Sequence, residues 1–165
     1  MAVLDAVCQS VAPVALAKGL RLEWAAHVDD HRHASACIKT DAARLKQILL
    51  ALLSNAIKFT PATQEAGMHP HVRAWCRQTQ DEWMFIIDDT GPGIPSSQLG
   101  QACDLFVQGD DSLTRTHGGL GAGLAMACRL ARLLGGTLAL ENRPQGGLRA
   151  MVRLPAAPTC FEPPR

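Results

Sequence analysis

The sequence predicts an α/β sandwich, a mixed sheet with helices on one face. Three observations carry this expectation. The segment after Thr40 and Asp41 spaces Leu45, Ile48, Leu49, Leu52, Leu53, Ala56 and Ile57 as the stripe of a helix packed on a sheet. Strand-like runs lie on either side of it, at 21–28, 72–76 and 82–88. Near the end, two apolar runs, 137–142 and 148–154, flank the turn Pro144-Gln145-Gly146-Gly147 and read as a closing strand pair.

Taken in order, Val3 to Lys18 has helical spacing, and Gly19 stops it. Arg21 to Val28 alternates, with Leu22, Trp24, Ala26 and Val28 on one face of a strand. A short strand is expected at Cys37-Ile38-Lys39, followed by the long helix with Thr40 or Asp41 as its cap. Thr60-Pro61 ends that helix. Val72, Ala74 and Cys76 mark one strand, and Glu82 to Asp88 the next. From Asp89 to Gly119 glycine and polar residues dominate, apart from a short helix expected near Ser96 to Cys103. A further helix runs from Leu120 to Leu134 and stops at Gly135-Gly136.

Composition narrows the function. The chain has 165 residues, enough for one domain with a real core, and 47% apolar against 19% charged residues excludes disorder. A net charge of +1 gives no reason to expect nucleic acid or an acidic membrane as partner. No apolar run reaches the roughly 18 residues of a membrane span, and no signal peptide is expected. Cys8, Cys37, Cys76, Cys103, Cys128 and Cys160 form no C-x-x-C pair and read as thiols of a reduced, cytoplasmic domain. Residues 156–165 are proline-rich and read as a linker, so a longer parent chain is expected.

Three segments carry chemistry. The apolar run Trp83-Met84-Phe85-Ile86-Ile87 ends in Asp88-Asp89-Thr90-Gly91-Pro92-Gly93-Ile94. A carboxylate at a strand end, beside uncluttered glycine backbone, is a way to hold a flat nucleotide base. On the long helix, Ala51, Asn55 and Lys58 share a stripe that is not the apolar one. An amide oxygen there can ligate Mg²⁺ and a lysine can meet phosphate, although a lone pair of this kind is more often a solvated helix face. Gly118-Gly119-Leu120-Gly121-Ala122-Gly123-Leu124 runs into a helix whose free N–H groups make an anion site. The polar segment before it, 108–117, carries Arg115 and His117 and reads as a lid. Neither a P-loop nor a dinucleotide fingerprint occurs. His27, His31 and His33, with Asp29 and Asp30, read as a polar connection rather than a metal cluster.

Leu49 to Thr60 resembles the N box of bacterial sensor histidine kinases, and Asp89 to Ile94 their first glycine box. Phe106-Val107-Gln108-Gly109-Asp110 resembles the end of the F box, and Gly119 to Leu124 the second glycine box. Order and separations agree, and the resemblance spans residues 1 to 155. It implies the Bergerat (GHKL) fold: a mixed five-stranded sheet, about three helices on one face and a flexible ATP lid. By motif position, Asp89 would take the adenine amino group, Gly91 and Gly93 would admit the base, and Phe59 and Ile94 would line its pocket. Asn55 would ligate Mg²⁺, and Lys58 would contact phosphate. Gly119, Leu120, Gly121, Gly123 and Leu124 would form the phosphate cradle, with Arg115 and His117 of the lid nearby.

The resemblance implies ATP and ADP as ligands and a phosphotransferase acting with an upstream phosphoacceptor (DHp) domain. A response regulator or fused receiver would follow, as in hybrid kinases. It implies no nucleic acid, no direct membrane contact, even where the parent is anchored in the inner membrane, and a monomer when isolated. None of the six histidines stands in an H-[ED]-x-x-[TN]-like motif, so the isolated chain is expected to bind ATP without phosphorylating itself.

Four positions depart from the pattern. Ala51 stands where the kinases carry Asn, and where related ATPases (gyrase, the ninety-kilodalton heat-shock chaperones, mismatch-repair proteins) carry a water-activating Glu. Alanine does neither job, which argues against a hydrolase. Cys103, Leu120 and Ala122 replace residues common in the F box and second glycine box. The alternative they leave open is a degenerate, non-catalytic nucleotide- or partner-binding module.

Overall fold

The computed structural model describes residues 2–28, 38, 40–62, 69–79, 81–99 and 121–156. Its elements are α1 (Ala2–Ala17), β1 (Arg21–Val28), α2 (Ala42–Phe59), β2 (His71–Gln78), β3 (Glu82–Asp89), α3 (Ser96–Leu99), α4 (Gly121–Leu133), β4 (Thr137–Asn142) and β5 (Leu148–Pro155). The strands form one sheet in the order β1-β2-β3-β5-β4. β1 and β2 are parallel and the other neighbours antiparallel, so the five-stranded sheet is mixed. The parallel pair needs a crossover, and α2 lies within it.

Helix α2 organises the second layer. Asp41 caps it, accepting from the N–H groups of Ala43 (3.0 Å) and Arg44 (3.1 Å). Its stripe from Leu45 to Ile57 is buried throughout and joins α1, α4 and the facing side of the sheet in one core. At its other end Lys18 donates to the carbonyls of Ile57 (2.7 Å) and Lys58 (2.6 Å). A cation on these orphan carbonyls suits the negative end of the helix dipole.

Strand β3 is buried on both faces. Trp83, Phe85 and Ile87 enter the core; Met84, Ile86 and Asp88 face the other way. On that second face Met84 stands between Arg77 and Arg153, and Ile86 between Trp75 and Met151. The stems of these long neighbours cover the central strand on the face where no described helix lies.

The short strand expected at Cys37-Ile38-Lys39 is not formed at Ile38, which packs against the core without joining the sheet. A three-residue pattern cannot separate a strand from one anchoring side chain. Cys37 and Lys39 lie outside the described residues, as do Asp29, Asp30, His31, His33 and the expected helix beyond Leu99. The sheet continues to Ala156, whose N–H donates to the Asp81 carbonyl (2.8 Å). Cys8, Cys76 and Cys128 are buried free thiols; burial, with Asp5 nearby, pushes Cys8 up to about 12. Among the described residues no helix is long and apolar enough to cross a membrane.

Candidate nucleotide site

The C-terminal half of α2, the end of β3 and the start of α4 enclose one cavity of about 150 Å³. From α2 come Leu52, Asn55, Ala56 and Phe59, and from β3 Ile87 and Asp89. The loop after β3 gives Pro92, Gly93 and Ile94, α4 gives Leu124, and the closing strands Leu140, Leu148 and Ala150. Asn55 and Asp89 are the polar side chains in a wall that is otherwise apolar or glycine. Pockets that enclose a whole small ligand run to roughly 300–1,000 Å³. This one is sized for a flat ring with the rest of the ligand outside.

Asp89 is the most constrained of these groups. Its Oδ1 accepts from the N–H of Gly91 (2.8 Å) and of Leu148 (3.1 Å). Oδ2 has no hydrogen-bond partner among the described residues. The side chain is thus held by one oxygen and offers the other as an acceptor. Burial raises its pKa above the ordinary carboxylate value. The N–H groups of Leu148 and Gly91 and the Arg143 guanidinium pull against that rise, and Asp88 adds to it.

The glycine loop is tied down from behind. Asn142, at the end of β4, accepts from the Ile94 N–H (2.9 Å) and donates to the Ile94 carbonyl (2.6 Å). Gly93 has φ +73°, and a Cβ there would stand 2.6 Å from the Asn142 Oδ1. Both the left-handed backbone and the close amide require glycine. Gly91 is wedged between the Phe59 carbonyl and the Asp89 carboxylate, with room for a Cβ only at 3.2 Å and 3.1 Å from them. Thr90 bonds the backbone of His71 on β2, which fixes the strand end. Asn142→Ala removes both bonds to Ile94 and leaves its backbone groups half-buried. The expected cost is about 1–3 kcal/mol in urea unfolding; an unchanged midpoint would show that the clamp carries no load.

On α2 the polar stripe meets the start of α4. A Cβ on Gly123 would lie 3.9 Å from the Ala51 Cβ and from both amide atoms of Asn55. The space beside the Asn55 amide is therefore open because position 123 is glycine. Lys58 is exposed and is not part of the cavity wall; its ammonium lies 5.1 Å from the centroid of the Phe59 ring. Gly121 opens α4, and Leu124 is buried against the cavity. Arg115, His117, Gly119, Leu120 and the lid lie outside the described residues.

Sequence reasoning missed the far wall, Leu140, Leu148 and Ala150, and the residues that brace the loop, Asn142, Arg143 and Gly147. The wall positions are ordinary strand residues, and nothing local marks which face the cavity. A signal for the brace exists in Asn142-Arg143-Pro144-Gln145-Gly146-Gly147, too rich in turn formers and polar groups for a plain hairpin.

Residues 40–158 match the family model described as histidine kinase-, DNA gyrase B-, and HSP90-like ATPase. The circadian input-output histidine kinase CikA of Synechococcus elongatus is 39% identical over 125 residues, 76% of this chain and 16% of that protein. The hybrid signal transduction histidine kinase D of Dictyostelium discoideum is 33% identical over 129 residues, 74% of this chain and 8% of that protein. The chain thus spans less than a fifth of the length of these relatives. Among solved structures, the nucleotide-free catalytic domain of histidine kinase ThkA superposes with TM-score 0.73 at 19% identity, over 94% of this chain and 93% of that one, and with TM-score 0.72 in a second nucleotide-free form. Full-length ShkA in complex with AMPPNP gives 0.70 at 26% identity, over 96% of this chain and 30% of that one. The chain belongs to the histidine kinase-, DNA gyrase B- and HSP90-like ATPases, and within them is homologous to the ATP-binding catalytic domain of sensor histidine kinases.

Proposed function

We propose that residues 1–155 present the γ-phosphate of ATP to a histidine on a separate dimerisation domain, within a longer kinase of hybrid type, and that 156–165 lead onward as a linker. The observation that carries this reading is the single cavity shared by Asn55, Phe59, Asp89, Gly93 and Ile94. Asp89 Oδ2 would accept from the adenine amino group, while Phe59 and Ile94 sandwich the ring in the apolar wall. The triphosphate would leave the cavity between α2 and α4, where Lys58 and the N–H groups of Gly121 and Gly123, which have no partner within the helix, meet its charge. Gly119, Leu120, Arg115 and His117 are assigned to the same region by motif position alone.

Asn55 fits a hard cation, since its amide oxygen borders the space that a side chain at position 123 would fill. Mg²⁺ held there would neutralise charge on the phosphates. What this chain itself does is bind, orient and exclude water, so that the incoming imidazole meets the phosphorus in line. The nucleophile is the histidine of the partner domain, so no strong base is required here. Ala51 fits that division, because a hydrolase of this family would need a general base at its place.

Calorimetry is expected to give micromolar to sub-millimolar Mg·ATP binding, roughly −4 to −8 kcal/mol. Asn55→Ala should weaken Mg·ATP at least tenfold, the loss of roughly 1.5 kcal/mol of charge-assisted contact, while leaving the unfolding midpoint near that of the parent. In the longer protein, the same substitution should abolish phosphohistidine formation. No binding at millimolar nucleotide would instead favour a partner-binding module. Steady ATP turnover by the chain alone would favour a hydrolase.

A further inference from the structure

Asp88 and Asp89 are neighbours on β3, so their side chains leave opposite faces of the sheet. Asp89 enters the nucleotide cavity; Asp88 is buried on the other side. There Arg149 grips it with a fork, Nε to Oδ1 at 2.7 Å and Nη2 to Oδ2 at 2.7 Å. Arg149 also lies over the Trp75 ring, 5.5 Å from its centroid, and reaches Glu141 at 3.4 Å. Arg143, from the turn after β4, adds a third contact, its Nε 3.3 Å from Asp88 Oδ2. The same guanidinium donates through Nη1 to the main-chain carbonyl of Asp89 at 2.7 Å.

Arg143 thus bridges the two acids, holding the side chain of one and the backbone of the other. Its own side chain is only 17% exposed, so the bridge is shielded from water and salt. Its backbone is fixed as well: the N–H donates to the Gly147 carbonyl (2.9 Å), and its carbonyl accepts from Gly146 (3.0 Å). Leu148, the residue after Gly147, supplies one of the two N–H groups on Asp89 Oδ1. One turn therefore grips Asp89 through both its carbonyl and its carboxylate.

We propose that Arg143 is a positioning residue for base recognition: by bridging Asp88 and Asp89 it fixes the direction in which Asp89 Oδ2 faces the purine. This rests on the reading of Asp89 as the acceptor for the adenine amino group. It gives the β4–β5 turn a part in nucleotide selectivity. ATP offers a donor to Asp89, whereas GTP offers a carbonyl oxygen, which an acceptor repels. A carboxylate held in one direction discriminates; one free to swing away discriminates less.

The test compares Arg143→Met, Arg143→Lys and Asp89→Asn by calorimetry with ATP and with GTP, alongside urea unfolding. Arg143→Met is expected to weaken ATP roughly tenfold, the worth of a lost charge-assisted hydrogen bond. It should leave GTP nearly unchanged, so the ATP-to-GTP ratio falls. Arg143→Lys keeps the cation but cannot bridge both acceptors with a fork, so it should recover part of that ratio. A merely structural role would lower stability and both affinities together. An unaltered ratio in Arg143→Met while Asp89→Asn loses its preference for ATP overturns the proposal and leaves Asp89 in place. An unaltered ratio in Asp89→Asn instead overturns the placement of the base itself. Should Arg143→Met fail to fold, Arg143→Lys is read by the same ratio.

Discussion

Asp89→Asn is expected to weaken Mg·ATP by roughly 100-fold, the upper end of what losing one hydrogen bond to a charged group costs. An asparagine can seat its oxygen on the N–H groups of Gly91 and Leu148, as Asp89 Oδ1 now sits. With the base placed as proposed, its NH₂ would then face the adenine amino group, donor against donor. Turned over, the NH₂ confronts two backbone donors instead. Neither arrangement restores an acceptor to the base. The fold itself should not suffer. Burial raises the Asp89 pKa, so between the unfolded and folded values the folded state binds more protons. Stability contributed by this group therefore falls as pH rises through that window. The neutral amide escapes that cost, and the thermal midpoint of Asp89→Asn should equal or exceed that of the parent. The same pKa sets a sign for binding. Nucleotide affinity should fall as pH drops through the raised value, because a protonated carboxyl loses the charge that strengthens the bond. ATP binding unchanged in Asp89→Asn would show that the base lies elsewhere.

Gly147→Ala is expected to be the most destabilising of the single-methyl changes. Gly147 has φ +93°, and a Cβ there would stand 2.0 Å from the Asp89 carbonyl oxygen and 3.0 Å from the Thr90 Cα. Both obstacles are main chain of the buried strand end and cannot swing aside. Left-handed backbone adds roughly 1–2 kcal/mol for an L-residue. Clash and strain together should cost about 3 kcal/mol or more, and lower the thermal midpoint by roughly 6–12 °C. Gly146→Ala is the internal control, with φ +90° but nothing within 4 Å of its Cβ. It should lose only the conformational part. Equal losses at 146 and 147 would refute the close approach. Because Gly147 lies against Asp89, the alanine should also weaken ATP in whatever fraction remains folded.

Much of the architecture was open to reading along the chain. The stripe on α2 is regular from Leu45 to Ile57, and burial of its residues is complete, because helical period and core position are the same information there. A cap at Thr40 or Asp41, an end at Thr60-Pro61 and the Pro-Gln-Gly-Gly turn follow from local chemistry that needs no partner; the hydrogen bonds of the folded chain choose Asp41. β3 was legible as a strand, but its second buried face was not. That face is closed by arginine stems, Trp75 and Met151 from neighbouring strands, and no pattern within 82–89 records them. The strand expected at Cys37-Ile38-Lys39 is not formed at Ile38, the described residue of the three, because a single buried side chain leaves the same local pattern.

By itself the sequence determined which residue types are on offer: a carboxylate after an apolar strand, glycines following it, and an amide and a lysine one helical turn apart. Those depend on local order, which the chain carries wherever it goes. Only the tertiary structure decided that Asp89 is held by one oxygen, that Asn142 and the turn at 143–147 brace the loop, and that Arg143 ties Asp88 to Asp89. These contacts join residues some fifty positions apart. The physical reason is that hydrogen-bond geometry fixes direction within tenths of an ångström, and direction is set by the register of strands that only the folded sheet brings together.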